Sequence, residues 1–282
     1  MTRQIIVAEN AGFCFGVRRA VEMTAEYNNK NNTRVYTLGP LIHNQDVVKS
    51  LENQGIFQIG SNEISKLEPG DTIIIRSHGV TPEIIDKLKQ TGAKVVDATC
   101  PYVSSIQRKA KKYYKEGYQI IIVGDANHPE VIGINGWCDN TALVTKDGSN
   151  LGNLPDKVCV LSQTTEKLSN FEKTLDKVSR LAKDVVSFNT ICSATNERQS
   201  SADEVSRIVD LMIVIGGKNS SNTRKLYEIC SENCSNTLLI ENVSEMPEEA
   251  INNYEFKRIG ITAGASTPDW VIEEVINKLK SD

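Results

Sequence analysis

Three cysteines occupy the same local position in the sequence. Cys14, Cys100 and Cys192 each follow a short apolar strand and precede a stretch with helical periodicity. The free N–H groups at a helix N-terminus favour negative charge, so each of these turns suits a thiolate. Three converging thiolates could bind zinc together with water or a histidine. They could equally hold a cubane 4Fe–4S cluster with one iron left without a protein ligand. The alternative is that all three are ordinary buried thiols.

The remaining cysteines show no such pattern, and we expect none of them in the site. One lies in a turn after a tryptophan, one lies inside an apolar strand, and two stand one helical turn apart without a further ligand nearby. They are Cys138, Cys159, Cys230 and Cys234.

The histidines also fall at equivalent steps of the chain. His43, His78 and His128 each follow the end of a predicted strand, and in open α/β sheets ligands bind at that edge. The last third of the chain has polar residues at the matching turns instead, and the middle third adds Thr164. Helix N-termini with such donors are anion sites, so we expect a phosphate or diphosphate. No Walker loop and no complete G-x-G-x-x-G motif occurs, so a nucleotide is not indicated. The polar residues of the last third are Ser220, Ser221, Asn222 and Ser266.

One carboxylate accompanies this polar set. Glu130 follows His128 by two residues, in His-Pro-Glu at a predicted helix start. An acid in the first turn of a helix commonly just complements the helix dipole. Because Glu130 lies beside the histidine and threonine donors, we choose it as the proton source, with Asp97 and Asp125 as the next candidates.

The elements that must position these residues alternate between strands and helices along the whole chain. This alternation predicts an α/β protein with mainly parallel sheets. The cysteines recur with a period of about 90 residues, which predicts three related, pseudo-symmetric lobes. We expect lobes at 9–98, 99–190 and 191–282, with the strand in 1–8 completing the third. Closed cyclically, the lobes would surround a central cavity in which the cysteines meet.

Composition excludes several classes of protein. A net charge of −4 over 282 residues argues against a nucleic-acid binder. No apolar run approaches the roughly 20 residues of a membrane span, and no signal-peptide core follows the start of the chain. Seven cysteines in a reducing compartment favour metal binding or catalysis over disulfides. We expect a cytoplasmic protein without nucleic-acid or membrane partners.

Together, several motifs resemble those of the 4-hydroxy-3-methylbut-2-enyl diphosphate reductase (IspH/LytB) family. They extend from residue 12 to residue 268, which is nearly the whole chain, and no functional position departs from the family pattern. Some members carry an additional RNA-binding domain, which we do not expect here. The motifs are Gly-Phe-Cys-Phe-Gly-Val (12–17), Leu-Gly-Pro-Leu-Ile-His-Asn (38–44), Arg-Ser-His-Gly (76–79), Asp-Ala-Thr-Cys-Pro (97–101), His-Pro-Glu-Val (128–131), Ser-Gln-Thr-Thr (162–165), Thr-Ile-Cys-Ser-Ala-Thr-Asn-Glu-Arg-Gln (190–199), Lys-Asn-Ser-Ser-Asn-Thr (218–223) and Thr-Ala-Gly-Ala-Ser-Thr-Pro (262–268).

The resemblance implies the last step of the non-mevalonate isoprenoid pathway. Two electrons and two protons would remove the hydroxyl of an allylic diphosphate as water, giving isopentenyl and dimethylallyl diphosphate. A donor such as flavodoxin or ferredoxin would supply the electrons. The resemblance also implies that Cys14, Cys100 and Cys192 hold a 4Fe–4S cluster whose open iron binds the substrate oxygen. Glu130 would deliver protons with Thr164 beside the substrate hydroxyl. The diphosphate would be bound by His43, His78, His128, Ser220, Ser221, Asn222 and Ser266.

Two other functions remain open from the residues alone. A cluster-dependent hydro-lyase would use the open iron only as a Lewis acid and would need no reductant. A sensor or phosphate-binding protein with structural zinc would not be an enzyme. Iron and acid-labile sulfide separate the zinc protein from the others, and dependence on a reductant separates the reductase from the hydro-lyase.

Overall fold

Three parallel sheets of four strands form the framework of the chain. A computed structural model describes residues 3–30, 33–42, 44–253 and 255–280. Every strand pairing in the three sheets is parallel, which confirms the predicted fold class of three parallel-sheet α/β lobes. Among the described residues, no helix combines the length and apolarity that crossing a bilayer requires.

The first sheet is built from residues that follow the first helix. Its strand order is β3-β2-β4-β5, and Thr72–Ile75 is buried along its whole length, as expected for a parallel strand covered on both faces. Thr81 caps the third helix by accepting the N–H of Ile84, and Pro82 is its first residue. The elements are β1 (Gln4–Val7), α1 (Phe15–Lys30), β2 (Val35–Leu38), α2 (Gln45–Asn53), β3 (Ile56–Ile59), β4 (Thr72–Ile75), α3 (Pro82–Gln90) and β5 (Lys94–Asp97).

The second sheet has the same arrangement, with strand order β7-β6-β8-β9. Its two central strands carry unbroken runs of buried apolar residues, Ile120–Val123 and Val158–Leu161. The elements are α4 (Pro101–Lys115), β6 (Gln119–Val123), α5 (Pro129–Gly136), β7 (Leu143–Thr145), β8 (Lys157–Ser162), α6 (Leu168–Leu181) and β9 (Asp184–Ser187).

The third sheet combines both ends of the sequence. Its order is β1-β12-β10-β11, and β1 pairs in parallel with β12 from Gln4 opposite Arg258 to Val7 opposite Ile261. The N-terminal strand therefore lies in the third sheet, as expected. The elements are α7 (Ser193–Ser206), β10 (Leu211–Ile215), α8 (Ser221–Asn233), β11 (Thr237–Ile240), α9 (Glu248–Asn252), β12 (Arg258–Ala263) and α10 (Asp269–Lys280).

The packing divides the chain into two compact units rather than three. The larger unit comprises Arg18–Leu41 and Val48–Cys192 and holds the first and second sheets. The smaller unit comprises Met1–Val17, Ile42–Val47 and Ser193–Asp282 and holds the third. The predicted lobe boundaries, after residues 98 and 190, stay a prediction.

Candidate functional site

One backbone hydrogen bond recurs at each of the three predicted cysteines. The N–H of Cys100 donates to the carbonyl of Ser77 (2.9 Å), and the N–H of Cys192 donates to that of Thr164 (3.1 Å). In the third sheet the N–H of Cys14 donates to the carbonyl of Ala265 (3.2 Å). Each acceptor lies two residues beyond the end of its strand, namely β4, β8 or β12. Each cysteine is thus tied to the strand end where the sequence predicts substrate-binding side chains.

Each of these thiols also stands where a helix begins. Cys100 is the N-cap residue of α4, and its side chain makes no capping hydrogen bond. Cys14 and Cys192 immediately precede the first residues of α1 and α7. The unpaired N–H groups of a helix N-terminus stabilise negative charge, so all three positions suit metal-binding thiolates.

Exposure separates these cysteines from the other four. None of the seven cysteines, all of them among the described residues, forms a disulfide, but Cys14, Cys100 and Cys192 are partly exposed, whereas the remaining four are buried. Burial raises the pKa of Cys138 to about 11, and that of Cys159 and Cys230 to about 12. A buried thiol with such a pKa is neutral at physiological pH and unreactive. The three predicted cysteines, and not the four buried ones, therefore have the exposure and the helix N-terminus that a metal-binding thiolate needs.

The turn that carries Cys14 is fixed by an arginine that is not among the predicted site residues. Arg198 on α7 is 2% exposed, and its Nη2 donates to the carbonyl of Gly12 (2.8 Å). Gly12 has φ +96°, and a Cβ there would lie 2.9 Å from Oδ1 of Asp269, so the turn requires glycine. Arg198 falls on the same buried stripe of α7 as Ala202. The periodicity of the helix was therefore the signal that could have located it.

Glu130 and Thr164 form a buried pair in the larger unit. The backbone N–H of Thr164 donates to Oε1 of Glu130 (2.6 Å), and its hydroxyl bonds Oε2 (2.7 Å). Glu130 is 2% and Thr164 is 7% exposed. The other two candidate acids, Asp97 and Asp125, each accept the backbone N–H two residues further along, both at 2.9 Å. These are turn-forming contacts, whereas Glu130 bonds a side chain of the predicted site.

His128 has a defined tautomer. It caps α5, and its Nδ1 accepts the backbone N–H of Glu130 (3.1 Å). A neutral imidazole that accepts at Nδ1 carries its proton at Nε2, so that nitrogen is a hydrogen-bond donor. The ring of His78 stands edge-on to that of His128, with centroids 5.3 Å apart. The two histidines therefore form one group with Glu130 and Thr164.

The smaller unit gathers the second group of predicted residues at the ends of β10 and β12. Ser220 caps α8 by accepting the N–H of Thr223 (3.4 Å), and Ser221 and Asn222 form the first turn of the helix. Ser266 follows β12 and is also buried. Asn222 is 3% exposed, and within the described structure both of its amide atoms lack a hydrogen-bond partner. An unpaired buried amide costs about 1–3 kcal/mol, which a bound ligand would recover.

Two glycines bring α8 close to the edge of the third sheet. A Cβ at Gly264 would overlap Oγ1 of Thr223, and a Cβ at Gly216 would lie 2.8 Å from the same atom. Only glycine at these two positions allows the first turn of α8 to approach the edge of the sheet this closely. The glycines therefore place Asn222 at the carboxyl edge of the sheet.

The larger unit thus brings together Cys100, Cys192, the two histidines and the Glu130–Thr164 pair. Cys14 and the serine and asparagine set belong to the smaller unit, so a joint site stays a prediction. His43, the remaining predicted ligand, lies outside the described residues. In the described ranges, no three His, Cys, Asp or Glu side chains are grouped so as to bind one metal ion.

Comparisons with known proteins agree on one family. The family model described as LytB protein matches residues 5–280. A 4-hydroxy-3-methylbut-2-enyl diphosphate reductase of Clostridium perfringens (strain 13 / Type A) is 55% identical over 280 residues, covering 99% of both chains. A solved structure of (E)-4-hydroxy-3-methyl-but-2-enyl diphosphate reductase, described as the terminal enzyme of the non-mevalonate pathway, matches with a TM-score of 0.73 and 43% identity, and covers 100% of both chains.

A second solved structure with lower sequence identity also matches, and it too is named as a diphosphate reductase. It is the E-1-hydroxy-2-methyl-but-2-enyl-4-diphosphate reductase of Plasmodium falciparum, with a TM-score of 0.90 and 27% identity. The match covers 98% of this chain and 88% of that one. Since the family model spans nearly the whole sequence, the chain belongs to the LytB protein family.

Proposed function

We propose that the protein reduces 4-hydroxy-3-methylbut-2-enyl diphosphate to isopentenyl and dimethylallyl diphosphate. The full-length relative and the two solved structures carry the name of this reductase. The observation that carries the proposal is the repeated bond between each cysteine N–H and a strand-end carbonyl. It ties each thiol to a turn that holds, or adjoins, a predicted substrate ligand.

Cys14, Cys100 and Cys192 would hold the cofactor, a 4Fe–4S cluster with one iron lacking a protein ligand. Bound there, the cluster would supply electrons and a Lewis-acidic position for a reaction whose leaving group, hydroxide, is otherwise poor. The partial exposure of these thiols and the burial of the other four support this choice of ligands.

The diphosphate would be bound by neutral donors rather than by an excess of cations. His128 presents the N–H at Nε2, because its Nδ1 already accepts a backbone hydrogen bond. Asn222 has an amide without a partner, at a helix N-terminus whose own N–H groups favour an anion. His78 and the residues Ser220, Ser221 and Ser266 complete the described part of the set, and we retain His43 as a further ligand.

Protons would reach the substrate through Glu130 and Thr164. When Glu130 is protonated at Oε2, that oxygen can donate its proton to the Oγ1 of Thr164, which lies 2.7 Å from it. Glu130 would transfer its proton to the hydroxyl oxygen of Thr164, and that hydroxyl would release its own proton to the substrate oxygen. One proton would thus move towards the substrate while both side chains keep their positions. The backbone bond to Oε1 holds the carboxyl group in place during this exchange.

The test uses anaerobically reconstituted protein with the allylic diphosphate and reduced methyl viologen. We expect iron and acid-labile sulfide in the protein, and formation of both diphosphate products only when the reductant is present. Turnover without a reductant would replace the proposal with a hydro-lyase, and zinc without sulfide would replace it with a non-enzymatic protein. We place the reaction in the cytoplasm, with flavodoxin or ferredoxin as the physiological electron source.

A further inference from the structure

Helix α4 carries a cationic stripe that the proposed chemistry does not use. Its exposed basic residues recur at helical spacing, so they share one face of the helix. The opposite face is packed into the protein through Val103, Ile106 and Ala110, which are at most 3% exposed. The basic stripe consists of Arg108, Lys111, Lys112 and Lys115.

The charge of this stripe is poorly compensated. The sequence of α4 contains no Asp or Glu, although the whole chain has a net charge of −4. Lys112 lies 3.9 Å from Glu116, but both side chains are about half exposed or more, so the pair is weak. The Nζ of Lys111 lies 5.1 Å from the centroid of the Trp137 ring. This contact does not neutralise the positive charge of the lysine. The helix therefore presents a local positive field on an acidic protein.

The stripe begins close to a predicted cluster ligand. Cys100 caps α4, and a rise of 1.5 Å per residue puts Arg108 about 12 Å and Lys115 about 22 Å along the axis from it. Tyr102, in the first turn beside Cys100, is 48% exposed. Tyrosine is enriched in protein interfaces, so this exposed ring could contribute to a docking surface.

We infer that the exposed face of α4 docks a small acidic one-electron carrier protein that delivers electrons beside Cys100. The inference rests on the proposed function, which needs electrons from outside the chain. A membrane surface is disfavoured, because the apolar face of α4 is already buried in the core. Charge complementarity fixes the partner as acidic, and the helix that carries the stripe begins at Cys100, which favours an electron carrier over a nucleic acid.

The electron balance sets how often this partner must bind. Each turnover breaks one C–O bond, forms one C–H bond and releases water, and it consumes two electrons and two protons. Two reduced carriers are each oxidised by one electron, so the docking face must bind and release a carrier twice per turnover. Such a partner has to bind quickly and weakly, which electrostatic steering by exposed charges provides.

The experiment removes three charges from the stripe. The stripe variant, R108Q/K112Q/K115Q, replaces these residues with glutamine, which is also a good helix former. The control variant, K173Q/K278Q/K280Q, removes the same number of positive charges from exposed positions on α6 and α10. Reduced plant-type ferredoxin, which has a single 2Fe–2S cluster and carries one electron, is the electron donor, and reduced methyl viologen, a cation that the stripe does not attract, is the reference donor. Binding of oxidised ferredoxin is measured separately by calorimetry over a range of salt concentrations.

For the stripe variant at low salt, we expect the ferredoxin KM and Kd to rise about 10-fold or more. At about 1 M salt, where the Debye length is about 3 Å, the variant and the unmodified protein should converge. Viologen-driven turnover and the control variant should stay within about twofold. If the triple variant does not fold, Arg108→Gln and Lys115→Gln are measured singly, and each should weaken the salt dependence.

Unchanged ferredoxin binding and KM in the stripe variant would overturn the inference. Equal losses in the stripe and control variants would overturn it too, because net charge and not α4 would then be responsible. A third refuting result is stripe-dependent binding of a single-stranded RNA oligonucleotide together with unaltered ferredoxin kinetics. Failure of the proposed function is distinguishable from all of these, since the unmodified protein would then form no product with methyl viologen either.

Discussion

Replacing Glu130 with glutamine tests the proton path with little change of shape. The glutamine oxygen can accept the N–H of Thr164 as Oε1 does, and its NH2 group can donate to Oγ as a protonated carboxyl would. The variant is therefore a mimic of the acid form that cannot transfer its proton. Cluster assembly and substrate affinity should be retained, because no thiol and no diphosphate donor changes.

The size of each effect follows from the two hydrogen bonds. Bonds to a charged acceptor contribute about 1.5–3 kcal/mol each and neutral ones about 0.5–1.5 kcal/mol, so at the middle of these ranges the exchange of two bonds costs about 2–3 kcal/mol of stability. A domain with about 5 kcal/mol or more of stability would stay more than about nine-tenths folded. Loss of a positioned general acid lowers the rate about 10²–10⁴-fold. Unfolding of less than about one-tenth of the protein cannot produce a rate decrease of that size.

The assay is single-turnover product formation with reduced methyl viologen, alongside substrate affinity and the urea midpoint. A saturated rate within about threefold of the unmodified protein would refute the role of Glu130 and make Asp97 or a bound water the next candidate. Weakened affinity at an unchanged saturated rate would instead make Glu130 a positioning residue.

Three further predictions concern the ligands and the packing around them. Cys192→Ser should lose most bound iron and nearly all turnover, whereas Cys159→Ser should keep its iron; full iron in the first variant would exclude Cys192 as a ligand. His128→Asn should raise the Kd for inorganic diphosphate, measured by calorimetry, because the N–H at Nε2 is lost; an unchanged Kd with a reduced rate would contradict a binding role. Gly264→Ala should cost about 1–3 kcal/mol in urea unfolding, because its Cβ overlaps the hydroxyl of Thr223. Adding Thr223→Ala should recover part of that loss, and a double variant no more stable than Gly264→Ala would show that the strain lies elsewhere.

The strands that position the site could be predicted from the sequence, but one strand in each sheet could not. The missed strands are β3, β7 and β11, and each pairs with a single neighbour at a sheet edge. They contain three or four residues and are only partly buried. The edge strands β1, β5 and β9 are as short, but each contains two or three adjacent Ile or Val residues, which favour a strand. The three missed strands have no two adjacent Ile or Val residues, and their patterns resemble those of loops.

The candidate site was predictable at the level of strand ends but not of atoms. The cysteine repeat and the His-Pro-Glu sequence located the turns. The direct bond from Glu130 to Thr164 depends on the pairing of β6 with β8, which sets residues far apart in sequence side by side. Likewise, the tautomer of His128 follows from the backbone geometry of its cap, which residue types alone do not fix.

The pairing of β1 with β12 has a consequence for biosynthesis. The first two sheets each form from a single continuous segment of sequence, so they can fold as soon as that segment has been synthesised. Strand β1 is made before the first two sheets, yet its partner β12 is made after both of them. Until then β1 lacks its partner strand, and the turn with Cys14 lacks the Ala265 carbonyl that fixes it. A cluster that needs all three cysteines would therefore be inserted only after β12 has been synthesised, into a chain whose first two sheets are already folded.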